Sequence, residues 1–415
     1  MSPSTDPPAG GVPEGPAEGP VRPPRAVLPA LCVTQVTCWG ILYYAFPVLR
    51  ADLVADTGWS STRVTAAYSA ALVVSAVAGL AVGRSIDHRG PRHLMSAGGV
   101  VGVVGLATAA AAPGLVVFTV GWLVAGLAMA ATFYHPAFAA LTRWHRGEQV
   151  RALTVLTLAG GLASTVFAPL TDALTQTLGW RGALAVLATV LLTVATPLHW
   201  FALAAPWPGH EDRGPGRDPG AGVPGSRSFV LLTVAMALSG FALYGALFGL
   251  IPLLLERGAS ATTAAWALGL GGAGQTLGRL LYAPLSARTG PGVRLVAILI
   301  AAAIAIALLA VVPGPVTLLV ALAVLAGTVR GNHTLVQATA VSDRYGTAAY
   351  GRLSAALALP VTIAGALSPW AVAAAATRVG GHTAVFLGLA ALALLAAALA
   401  RRISSVDTPK EQART

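Results

Sequence analysis

Residues 83–93 read Gly83-Arg84-Ser85-Ile86-Asp87-His88-Arg89-Gly90-Pro91-Arg92-His93. The stretch holds three arginines, two histidines and one aspartate, and its Gly-Pro step halts a helix. Apolar runs flank it on both sides, at 63–84 and 94–112. Each has about 20 residues, the length that crosses a bilayer. A short basic loop between two such runs is a membrane hairpin, and arginine-rich loops stay on the cytoplasmic side.

Working outward, the same pattern fills the chain. Twelve apolar runs are readable: 27–49, 63–84, 94–112, 115–139, 152–174, 183–204, 228–254, 262–285, 294–312, 315–341, 352–376 and 382–400. The composition agrees: 56% hydrophobic and 10% charged, against about a quarter charged in soluble proteins. The net charge of +11 would suggest nucleic acid in a soluble chain. Here the arginines lie in loops between apolar runs, so the charge reports topology and no nucleic-acid partner is expected. Lys410 is the only lysine, the usage of a high-GC bacterial genome. Cys32 and Cys38, six residues apart on one predicted helix, form neither a disulfide nor a metal site. Residues 1–24, rich in Pro and Gly without an apolar core, read as a disordered cytoplasmic tail and not a signal peptide.

The reading is an all-α polytopic membrane protein with twelve transmembrane helices in two pseudo-symmetric six-helix bundles, 25–204 and 228–402. A polar Pro/Gly-rich linker, 205–227, joins them, and 403–415 is a second tail. The halves are copies. A shift of 201 places Gly126 on Gly327, Arg143 on Arg344, Trp144 on Tyr345, Arg151 on Arg352 and Tyr43 on Tyr244. A shift of 200 places Gly90-Pro91 on Gly290-Pro291. With both termini inside, cytoplasmic basic residues outnumber those outside about fourfold. Only Arg50, Arg63, Arg181, Arg257 and Arg378 fall outside.

The loop at 83–93 resembles the signature of the major facilitator superfamily: Gly, three residues, Asp, a basic residue, any residue, Gly, then basic residues. His88 and His93 stand where Arg or Lys is usual. A degenerate second copy, Ala283-Pro284-Leu285-Ser286-Ala287-Arg288-Thr289-Gly290, has Ala at the Gly and Asp positions. The resemblance implies the major facilitator fold, a secondary transporter that works by rocking of the two bundles, and no enzyme activity or cofactor. Tyr134-His135-Pro136, the run Leu158 to Ala163, Gly179-Trp180-Arg181 and Gly58-Trp59-Ser60 resemble bacterial members related to monocarboxylate and oxalate/formate porters. Drug–proton antiporters carry an Arg where Trp122 stands, and glycines where Asp172 and Ala173 stand. Gly83, Asp87, Gly90 and Arg92 form the candidate conformational latch. In it, Gly83 lets two helices approach, and Asp87 meets the positive end of the eleventh helix near Gly351.

The candidate binding residues follow from depth and charge. Arg330 lies about fifteen residues into the tenth run, roughly 16 Å from the inner end at about 1.5 Å per residue, beyond easy snorkelling. No carboxylate lies in the middle third of any run. A fixed positive charge at that depth costs about 2.5–3.5 kcal/mol on insertion scales, and arginine cannot shed its proton. A carboxylate-bearing substrate is the natural partner. Arg279, four residues before Ala283, stands where the resemblance implies a carboxylate-binding Arg. Gln275 replaces the Asp those porters carry one turn earlier, and Asn332 joins the binding set. Tyr43 and Tyr244 are on helices that line the cavity in the family. His135 and His333 can titrate near physiological pH and are the candidates for a coupling proton.

The expected partners are a small-molecule substrate, a coupling proton and the lipid bilayer, with the chain acting as a monomer in a bacterial plasma membrane. Competing readings are an efflux pump for a drug or secondary metabolite and a non-transporting membrane sensor. A membrane enzyme has no support, because no metal cluster, nucleophile elbow or phosphate loop is readable.

Overall fold

The computed structural model describes residues 25–145, 148–207, 223–346 and 350–403. The tails at 1–24 and 404–415 and the linker residues 208–222 lie outside the described residues. The helical passes are α1 (Val27–Thr57), α2 (Ser61–Arg89), α3 (Pro91–Ala110), α4 (Leu115–Trp144), α5 (149–178), α6 (180–202), α7 (Arg227–Glu256), α8 (Ala261–Arg288), α9 (Pro291–Val311), α10 (Val316–Thr339), α11 (Tyr350–Val379) and α12 (His382–Ala400). Among the described residues, ten stretches are long and apolar enough to cross a membrane. One of them, Gln149–Ala202, holds two passes, because Gly179 at φ 70°, ψ 170° breaks it. α8 is not among the ten, being glycine-rich and carrying Gln275 and Arg279, yet it is helical over 28 residues. The layout is compatible with twelve passes.

Several helices run past the apolar runs that announce them. α1 reaches Thr57, where left-handed Gly58 (φ 69°) ends it, and α2 continues to Arg89. Large apolar side chains such as Val116, Phe201 and Val77 are exposed on the outer surface, as the hydrocarbon of a bilayer requires.

The internal repeat holds at atomic detail. Ser60 caps α2 by accepting from the Arg63 N–H, and Ser260 caps α8 by accepting from the Thr263 N–H. A methyl group at Gly126 would strike the Ala71 carbonyl of α2, and one at Gly327 would strike the Gly271 carbonyl of α8. Small residues at these crossings let the backbones touch. Within the first half α2 packs on α4, α1 on α5 and α3 on α6; within the second, α8 packs on α10, α7 on α11 and α9 on α12.

The halves meet through α2 against α11 and α5 against α8. Toward the face opposite the 83–93 loop, Gln176 donates to Thr262 at 2.7 Å and the Trp370 N–H donates to Ser69 at 3.1 Å. Near the 83–93 face, most α2 side chains past Leu80 are exposed or half-buried. A side chain at Gly79 or Gly83 would meet nothing within 4 Å. Among the described residues the space beside Gly83 is open, and Gly90 is the glycine of this loop in tight contact, against Trp207.

Candidate functional site

Two interrupted helices shape the centre of the molecule. In α4, Phe133 is extended (φ −78°, ψ −162°). The cause is Pro136, which has no N–H to give the carbonyl of Thr132 and whose ring would clash with it. Gln35 of α1 donates its amide to that freed carbonyl at 2.8 Å, and its oxygen accepts from the Trp39 indole at 3.1 Å. Trp39 in turn stacks on Phe133, with ring centroids 4.0 Å apart. Beside it, α1 widens to a π turn at Gly40–Tyr44, a distortion frequent at functional sites. The break and the bulge turn Tyr134, Tyr43 and Tyr44 toward a shared aromatic cluster with Tyr68 and Phe248.

The second interruption is in α5. The Leu162 N–H bonds the Ala159 carbonyl rather than that of Leu158, which leaves Leu158 to accept from Thr276 of α8 at 3.4 Å. One residue earlier, the Thr157 carbonyl accepts from Arg279. Gly160 and Gly161 make room for this approach. A methyl at Gly160 would strike the Tyr134 hydroxyl, and one at Gly161 would lie 3.1 Å from the Arg279 guanidinium. The Tyr134 hydroxyl and the Arg279 guanidinium thus pack against adjacent glycines of α5. Arg279 therefore crosses from the second half to a backbone carbonyl of the first, one residue before the freed carbonyl of Leu158.

Arg330 is buried at 6% exposure. Its guanidinium donates to Gln275 at 3.4 Å, and Gly331 lets α10 close onto the Gln275 carbonyl. It lies within Coulombic range of Tyr43 and Tyr244, and Arg279 within range of Tyr244. Both arginines keep a buried Nε without a hydrogen-bond partner. Neither has an ion pair among the described residues, unlike Arg143 with Asp87, Arg294 with Asp343 and His382 with Glu256. Arg330 also borders a cavity of about 20 Å³ walled by Leu243, Leu247, Leu268, Ile306 and Leu309, room for a single water molecule.

The structure thus brings together Arg330, Arg279, Gln275, Tyr43 and Tyr244. It sets the remaining candidates apart. Asn332 donates to Thr328 of its own helix at 3.1 Å and sits against Gly278 where α8 and α10 cross. His333 is buried and lies 2.8 Å from Ser239 of α7. The Ser239 hydroxyl also lies 3.1 Å from the Met236 carbonyl. His135 is exposed. Asp87 pairs with Arg143 of its own half at 2.7 Å, and Arg92 donates to the Trp200 carbonyl at 2.8 Å. The expected partner of Asp87, the start of α11, adjoins residues 347–349, which lie outside the described residues. Tyr134 and the Thr157 carbonyl are site groups that sequence reasoning misses; the signals for them are Pro136, two residues past Tyr134, and the Gly160-Gly161 step.

A two-half helical membrane protein with this loop invites comparison with known families. The family model described as Major Facilitator Superfamily matches residues 31–369. The chain belongs to the major facilitator superfamily. As a member it is a multi-pass membrane protein of a transporter family. It is 30% identical to human monocarboxylate transporter 11 over 232 residues, 54% of this chain and 47% of that protein. It is 30% identical to the mouse protein of the same name over 235 residues, 54% of this chain and 49% of that one. The chain thus matches about half the length of these curated relatives. Among solved structures, the nucleoside transporter NupG superposes with a TM-score of 0.74 at 14% identity, covering 91% of this chain and 98% of that one. A bacterial homolog of the human lysosomal transporter Spinster, inward-facing and unoccupied, superposes at 0.72 with 15% identity, covering 90% and 95%. At such identities these two show the fold alone.

Proposed function

We propose that this chain is a secondary active transporter of a small carboxylate-bearing organic anion, working by alternating access between the halves 25–204 and 228–402. The observation that carries this reading is the pair of buried arginines whose acceptors are all neutral. Arg330 has the amide oxygen of Gln275, and Arg279 has a backbone carbonyl. A carboxylate arriving between them would supply the missing negative charge and a bidentate acceptor. The tyrosines would offer hydroxyl donors to its second oxygen or to a neighbouring polar group. The name of the curated relatives, monocarboxylate transporter, points the same way.

The open space beside Gly79 and Gly83, with contact kept at Gln176–Thr262, supports a passage that opens on the 83–93 face. The arginine bias of the loops supports assigning that face to the cytoplasm, with both termini there, in a bacterial plasma membrane. Asp87 belongs to the latch of the alternate state and rests on Arg143 in this one. For a coupling proton, His135 is the freer histidine, because His333 is committed to Ser239. The test is uptake of labelled carboxylates into proteoliposomes, with and without a pH gradient. Saturable carboxylate uptake lost in Arg330→Gln supports the reading; uptake unaffected by that change, or selective for cations, refutes it.

A further inference from the structure

The end of α6 does not stop at the membrane rim. The segment Leu203 to Trp207 runs back over the 83–93 loop, and its last residue makes four separate contacts. The Trp207 indole lies over the Arg143 guanidinium, 4.7 Å from its carbon to the ring centroid. Its Nε1–H donates to the Asp87 carbonyl at 3.4 Å. Its ring meets Trp144 edge-on at 5.3 Å. Its Cγ is 3.1 Å from where a Gly90 side chain would begin.

Each contact answers a local need. The Asp87 carbonyl is one of the last in α2 and has no N–H of its own helix to accept from; Trp207 and Arg143 supply donors, the latter at 3.3 Å. Gly90 has φ 74°, a conformation glycine adopts without strain, and its bare Cα lets the indole lie flat. Trp144 fixes the strap from below, donating its indole N–H to the Pro206 carbonyl at 3.0 Å. The Arg143–Asp87 pair is 2.7 Å long, and Asp87 is partly open to solvent. An exposed pair is worth little and is screened by salt. A ring over one face of the cation adds a cation–π attraction and keeps water and counterions from that side.

The geometry points to Trp207 as a positioning residue for the motif loop: by roofing Arg143 and capping the Asp87 carbonyl, it holds the Asp87 carboxylate within its own half. The ends of α2, α4 and α6 then move as one rim, and release of Asp87 toward the other half requires this roof to lift. The proposal concerns the loop and not the arginine site, and its test needs no substrate.

The test is the melting temperature of the purified full-length protein at low and high NaCl, in wild type, W207F and W207L. Phenylalanine keeps an aromatic roof; leucine keeps bulk without one. Wild type and W207F shift alike between the two salts, whereas W207L loses several degrees more at high salt. Adding D87N removes that extra loss. W207M takes the place of W207L if the leucine variant does not fold. Equal salt shifts in all three proteins would overturn the proposal. So would equal changes in W207F and W207L, or an extra loss that survives D87N.

Discussion

An arginine inside a membrane needs acceptors, and the two at the centre of this protein obtain them differently. Arg279 reaches the Thr157 carbonyl of α5, beside the break at Leu162, and Arg330 takes the amide of Gln275. Because Arg279 binds through a fork that lysine lacks, Arg279→Lys retains the charge but lowers carboxylate uptake about tenfold or more, read as initial rate in proteoliposomes. Gly331→Ala forces a methyl onto the Gln275 carbonyl; overpacking of this kind costs about 1–3 kcal/mol and appears as a lower melting temperature. Arg330, Arg279 and Gln275 are legible in the sequence, because a polar side chain within an apolar run is conspicuous by its residue type alone. His333 is equally conspicuous, yet its role is decided by Ser239, 94 residues away, a pairing that no local pattern encodes.

Helices that break are the elements that make the site. Pro136 denies Thr132 its bond, and Gln35 accepts the consequence. Gln35→Leu leaves that buried carbonyl unsatisfied at a cost of about 1–3 kcal/mol, so the melting temperature falls. Pro136→Ala lets α4 continue through Phe133 and turns Tyr134 away from Arg279. Uptake weakens while insertion into the membrane, followed by yield in the membrane fraction, is retained. Hydropathy locates each pass because length and apolar content suffice for that. It does not place the breaks at Phe133 and Leu162 or the π turn in α1, since these depend on which neighbour takes the freed carbonyls. α8 shows the reverse: its Gly-rich, Arg-bearing sequence is weakly hydrophobic, and it is held in place by close backbone contact with α10.

At the scale of the whole molecule, the repeat read from Gly126/Gly327 and Gly90/Gly290 has a physical basis. The first pair sits at equivalent crossings, α2–α4 and α8–α10, where only glycine fits. The second pair has diverged: Gly90 has φ 74° beneath Trp207, whereas Gly290 is extended with open space around it. Charge departs from the repeat as well, because the position that corresponds to Arg330 in the first half is Met129. The proposed alternating access requires the α5–α8 seam to part at Gln176–Thr262. Cysteines at these two positions, joined by a short bifunctional thiol reagent, stop uptake, and cleavage of a reducible linker restores it. The most direct measurement of the central claim is the initial rate of uptake of a panel of labelled small carboxylates, with neutral and cationic solutes of similar size, into proteoliposomes carrying wild type or Arg330→Gln. The account predicts saturable uptake confined to carboxylates and at least tenfold slower in the variant. Carboxylate uptake unchanged by Arg330→Gln, or uptake confined to neutral or cationic solutes, would contradict it.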